Sequence, residues 1–209
     1  MVHTHRNLGS ILTGDQALNR LKDGNARFIA GKAQFPTVQK DVLAMLARGQ
    51  APFATVLGCS DSRVPPELLF DASFGELFVI RVAGNVIGPA IEGSLQYAGR
   101  YLRTPLFVVL GHQGCGAVEA AMAKKFEGAV HASRIDRLLE EIEPALESPD
   151  PILSDEQQLA IAVEANVRHT LRKILYSPEG ERRRKEGFMK AVGAVFEFHT
   201  GQVRFLEDD

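Results

Sequence analysis

Phe53-Ala54-Thr55-Val56-Leu57-Gly58-Cys59-Ser60-Asp61-Ser62-Arg63 is the stretch on which the reading of this chain turns. Its apolar run, Phe53 to Leu57, predicts a buried strand. Directly after it, a thiol, a carboxylate and a guanidinium occupy alternating positions. In an extended backbone, residues i, i+2 and i+4 share one face. Cys59, Asp61 and Arg63 therefore converge on one point if that geometry persists past Gly58. A soft anion, a hard anion and a fixed cation so close together suggest a metal site with its own counter-charge.

Outward from this stretch, strands and helices alternate. Glu76 to Val82 reads as a second strand, and Leu106 to Leu110, continuously apolar, as a third that is buried on both faces. Val192 to Phe198 and Gln202 to Leu206 flank His199-Thr200-Gly201, which reads as a hairpin turn. Thr13 and Gln16 form a capping box for a helix that Gly31 ends, and a second helix is predicted over 37–48, stopped by Gly49. Further helices are predicted from Pro65-Pro66, over Ala90 to Leu102, over Gly116 to Phe126, and from Ser133 toward Pro149. A second capping box at Ser154 and Gln157 opens a long helix to about Tyr176, with a stripe of Val163, Val167, Leu171, Ile174 and Leu175. Glu179 to Lys185 reads as a charged, solvated turn or short helix. The alternation implies an α/β fold with a mainly parallel central sheet flanked by helices. We read 1–209 as one domain: a helical arm over 1–50, an α/β core over 51–209, and a β-hairpin at its end.

The 209 residues are 45% apolar and 24% charged, ordinary values for a globular protein. A net charge of −2 argues against general attraction to nucleic acid or to a membrane surface. No apolar run has the ~20 residues of a membrane helix. Met1 to Asp15 contains no apolar core of a secretory signal, so a cytoplasmic location is expected. In that compartment the two cysteines, Cys59 and Cys115, are metal-binding or catalytic rather than a disulfide.

Cys115 lies in Gly111-His112-Gln113-Gly114-Cys115-Gly116, just past the third strand. Ligand sites in parallel sheets lie at the carboxyl ends of strands, where both cysteines fall. Cys59, Asp61, His112 and Cys115 together make two thiolates, an imidazole and a carboxylate, a tetrahedral zinc set. The residues alone leave other readings open. One is a zinc-stabilised binding module without turnover. Another is a cysteine nucleophile, Cys115, at a helix N-terminus.

Cys59-x-Asp61-Ser62-Arg63 followed by His112-x-x-Cys115 resembles the β-class carbonic anhydrases. Gly75 to Arg81, Gly93 to Ala98 and the His199-Thr200-Gly201 turn extend the resemblance along the chain. It implies one zinc ion per chain, held by Cys59, His112 and Cys115. In the family's open form Asp61 pairs with Arg63 and water takes the fourth position; in the closed form Asp61 binds the metal. It implies reversible hydration of carbon dioxide to bicarbonate and a proton by zinc-hydroxide attack. Gln50, nine residues before Cys59, with Phe78 and Tyr97, matches the plant-type substrate pocket, and Ala83 stands where a valine is common. Members switched by a second bicarbonate carry a tryptophan where this chain has Val56, so that switch is not expected. The resemblance further implies a homodimer or homotetramer that shares residues across the interface, with the N-terminal helices wrapping the partner. A hydrolase of carbon disulfide on the same scaffold would carry the same metal motifs.

Overall fold

Helix α1 (Gly14–Ile29) starts where the sequence places its cap. Thr13 accepts from the Gln16 amide, and the Gln16 side chain accepts from the Thr13 amide. It opens a computed structural model that describes residues 12–34, 43, 44, 46–131 and 133–207. Ala17, Leu18 and Leu21 are buried. Gly24, a poor helix residue, is required by packing: a Cβ there would stand 1.9 Å from the Phe70 carbonyl oxygen. Gly24→Ala, worth ~1 kcal/mol of gain in a free helix, should instead destabilise this protein by about 1–3 kcal/mol through overpacking. A thermal melt with an unchanged or raised midpoint would contradict that. Beside it, buried Asn25 donates to the carbonyls of Leu69 and Gly201 and accepts from the Val203 amide. α1 is thus tied to its own chain. The helix predicted over 37–48 falls mostly outside the described residues.

Strand β1 (Ala54–Gly58) is buried at every position. Helix α2 (Pro66–Leu69) follows, with proline in its first turn. Then come β2 (Leu77–Arg81), α3 (Pro89–Tyr97) and β3 (Leu106–His112). After these lie α4 (Gly116–Met122), α5 (Ser133–Leu139), α6 (Asp155–Leu175), α7 (Pro178–Lys185), β4 (Lys190–Phe196) and β5 (Val203–Phe205). The sheet order is β2-β1-β3-β4-β5. The first four strands are parallel, and β5 returns antiparallel to β4. β1 and β3 are adjacent while the chain leaves β1 toward β2, so their carboxyl ends form a topological switch point. α6 lies close over the sheet: a Cβ on Gly111 or Gly193 would meet Val167 at 2.6 Å and 2.9 Å.

Several boundaries differ from the sequence reading. β3 runs two residues further, to His112, because Gly111 and His112 pair with Val195 and Phe196. The helices expected to reach Leu102 and Phe126 widen into π turns at Ala98–Leu102 and Ala123–Glu127. The helix opened at Ser133 stops at Leu139 rather than near Pro149. β4 ends at Phe196, and the turn closes between Glu197 and Gln202, so Phe198 leaves the ladder. The charged run at 179–185 is a helix and is not wholly solvated. Arg183 is 6% exposed and donates to the carbonyls of Thr104 and Phe188.

Candidate metal centre

Three side chains meet at the switch point between β1 and β3. Cys59 is the first residue beyond β1, His112 the last of β3, and Cys115 the cap of α4. All three are buried, with exposures of 5%, 1% and 1%. Their donor atoms lie within 4.8 Å of one another. The two sulfurs are 4.0 Å apart, and both cysteines are free.

The protonation chemistry of this group favours a cation. His112 Nδ1 is 3.0 Å from the Gln113 carbonyl, which can only accept, so Nδ1 carries the proton. Nε2 then presents its lone pair, yet it is buried and has no hydrogen-bond partner among the described residues. An orphaned buried acceptor costs about 1–3 kcal/mol. The hydrogen bond with Cys115 lowers the Cys59 thiol to about 4, helped by the Asp61 and Gly84 amides against burial. The same bond, with burial, pushes Cys115 far above the usual thiol range. The pair therefore shares one proton across one thiolate. A soft or borderline cation satisfies both sulfurs and the orphaned nitrogen together, so this donor set fits zinc.

Asp61 stands beside the group without joining it. Its Oδ2 is 3.8 Å from His112 Nε2. Arg63 grips the carboxylate: Nη2 donates to Oδ2 at 2.8 Å, Nε to Oδ1 at 3.0 Å, and the Arg63 amide to Oδ1 at 2.9 Å. The Arg63 side chain holds this carboxyl far below the usual carboxylate range. Asp61 is therefore ionised, and its charge is directed at Arg63.

Two contributors escaped the sequence reading. Arg81, on the edge strand, donates through Nε to the Cys59 carbonyl at 2.9 Å and through Nη2 to the Asp61 carbonyl. It clamps the backbone that carries both side chains. Phe198, from the β4–β5 turn, places its ring under the Arg63 guanidinium. Neither has a local sequence signal, since each acts through a tertiary contact.

The expected pocket residues are placed differently. Ala83 lies beside Gly84, whose amide points at Cys59 Sγ at 3.4 Å. Phe78 and Tyr97 stack on each other, with centroids 6.0 Å apart. Phe78 is in register with Thr55, four residues short of Cys59, or about 13 Å along a strand. Gln50 is half-buried and precedes β1, at the end of that strand opposite Cys59. Within one chain these three do not gather around the sulfurs.

A family model described as carbonic anhydrase matches residues 54–203. The chain is 45% identical over 130 residues to carbonic anhydrase 2 of Mycobacterium tuberculosis, covering 62% of this chain and 63% of that protein. It is 32% identical over 198 residues to a carbonic anhydrase of Pseudomonas aeruginosa, covering 88% and 86%. The solved structure of the β-carbonic anhydrase CcaA matches with a TM-score of 0.72 at 25% identity, over 91% of this chain and 95% of that one. This chain belongs to the carbonic anhydrase family, in its β class. It spans 63% of the length of the mycobacterial relatives. No described helix is long and apolar enough to cross a membrane.

Proposed function

We propose that this protein is a zinc-dependent carbonic anhydrase that interconverts carbon dioxide and bicarbonate. The observation that carries the reading is the convergence of Cys59, His112 and Cys115 beside an Asp61 that Arg63 holds back. In this reading those three residues hold the metal, one ion per chain. Zinc, when bound, supplies a Lewis acid that makes water acidic enough to serve as nucleophile near neutral pH. The chain's own residues do the rest. The two thiolates balance the metal's charge, so a third anion is not needed. Arg63 stays charged and keeps Asp61 off the fourth position. The Asp61 carboxylate would accept a hydrogen bond from the nucleophile and orient it. The protein is taken to work in the cytoplasm on a small neutral gas and its hydrated anion.

Gln50, Phe78 and Tyr97 are assigned to the substrate pocket, with Ala83 at its rim. The position of Phe78, about 13 Å from Cys59 along the strand, supports service to a partner's site rather than its own. A homodimer, or a tetramer of paired dimers, completes the pocket in this reading. A monomeric mass in solution would overturn that assembly.

The cysteine-nucleophile alternative is disfavoured. Cys115 is 1% exposed, and Cys59 pushes its thiol upward rather than toward a reactive thiolate. Stopped-flow carbon dioxide hydration tests the main proposal. Zinc-loaded protein should turn over, lose activity with a chelator, and lose most of it on Asp61→Ala. Two thiolates donate more charge than imidazoles, so the rate should rise above neutral pH. A zinc-loaded oligomer without hydration would refute the proposal, and a flat rate between about pH 6 and 9 would refute the thiolate argument.

A further inference from the structure

The Arg63–Asp61 pair lies at the surface, with 56% of the Arg63 side chain exposed. Ion pairs of that kind are usually weak and easily rearranged. Here the bidentate geometry strengthens the pair, and a second contact also bears on where Arg63 sits. The guanidinium carbon sits 4.3 Å from the centroid of the Phe198 ring. That ring is itself packed against neighbours, and its backbone is tied in place. The Phe198 amide donates to Gln113 Oε1 at 3.2 Å, and the Gln113 amide donates to the Phe196 carbonyl at 2.9 Å. The ring edge meets Phe196 at 5.1 Å between centroids, and it meets His112 at 5.9 Å. One aromatic side chain thus touches both the imidazole of the candidate metal centre and the cation that restrains Asp61.

Building on the carbonic anhydrase reading, we propose that Phe198 is a positioning residue for Arg63, setting how readily Asp61 stays clear of the metal's fourth position. The ring's negative face attracts the guanidinium, and its rigid seating leaves Arg63 one favoured pose. That pose presents Nε and Nη2 to the carboxylate as a fork. Leucine at 198 would fill much of the volume but offer no π face. Arg63 would then swing into solvent, and Asp61 would be freed toward the sulfurs.

The test uses the full chain with cobalt(II) in place of zinc, at one fixed pH. Thiocyanate is titrated against the visible absorption of the metal, which reads access to the fourth position without turnover. Phe198→Leu should retain one metal per chain and bind thiocyanate about three- to thirtyfold more weakly, the range expected for a cation–π contact. Phe198→Tyr should bind as wild type does. In an Arg63→Ala background, adding Phe198→Leu should change nothing further. Unaltered thiocyanate affinity in Phe198→Leu overturns the proposal, and so does further weakening in the Arg63→Ala background. Metal loss in Phe198→Leu also overturns it, by assigning the ring a merely structural role. Wild-type protein that takes up no metal overturns the carbonic anhydrase reading instead, whatever Phe198→Leu does.

Discussion

Replacing His112 with alanine is expected to abolish stoichiometric zinc and, with it, measurable hydration. The imidazole is the only nitrogen donor in the group and is 1% exposed. It lies at the end of a central strand paired on both sides. Alanine leaves two sulfurs 4.0 Å apart, with no third ligand atom beside them among the described residues except Asp61, which Arg63 restrains. Loss of groups that merely orient a metal ligand costs 10–100-fold in affinity, so loss of the ligand itself should cost at least about 100-fold. Stability gives an independent readout. A ligand at a thousand times its Kd contributes about 4 kcal/mol to the native state. Zinc-loaded wild type should therefore melt well above the chelated protein, and His112→Ala should melt the same with or without zinc. A variant that keeps one tightly held zinc would remove His112 from the ligand set.

Arg63→Ala is expected to separate metal binding from activity. Arg63 contributes no donor atom to the group, so zinc should remain at one per chain. Asp61 loses the partner that depresses its carboxyl, and that carboxyl rises toward the ordinary range near 4. At any neutral assay pH it is still ionised. The sign of the effect follows: the freed carboxylate is an anion beside a cation, 3.8 Å from the imidazole nitrogen, and it should take the fourth position. Hydration should fall by about 100-fold or more, the scale of removing one catalytic group. Raising the pH should recover part of the rate, because hydroxide competes better with the carboxylate. Activity near wild type would show that Asp61 needs no restraint. Joint loss of zinc and activity would show that Arg63 supports the metal rather than the gate.

The candidate ligands were legible in the sequence because each rests on a local signal. Cys59 and Cys115 follow apolar strand runs, and glycines beside His112 mark a bend at a strand end. The parallel sheet was legible for a similar reason, since long apolar runs alternated with capped helices. What surrounds the group was not. Arg81 reads as the polar end of a strand, and only the pairing of Gly58 with Arg81 brings its guanidinium to the Cys59 and Asp61 carbonyls. Phe198 reads as the end of an apolar strand, and only the Glu197–Gln202 closure turns it out of the ladder. Arg183 reads as solvated, and its burial depends on room left by Gly99, where a Cβ would stand 3.1 Å from Nη1. Each of these positions answers to residues distant along the chain, which no local pattern records.

The place of the β4–β5 turn in the chain has a consequence for biosynthesis. Cys59, His112 and Cys115 all emerge from the ribosome before Phe198, which lies 83 residues beyond Cys115. Synthesis proceeds at about 5–20 residues per second, and N-terminal segments fold first. A nascent chain could thus pair β1 with β3 and present its full set of candidate ligands seconds before the turn that steadies Arg63 exists. During that interval the ring that packs on Arg63 is not yet built, so acquisition of a metal by a newborn chain and commitment to the fully restrained arrangement of Asp61 would be separate events in time.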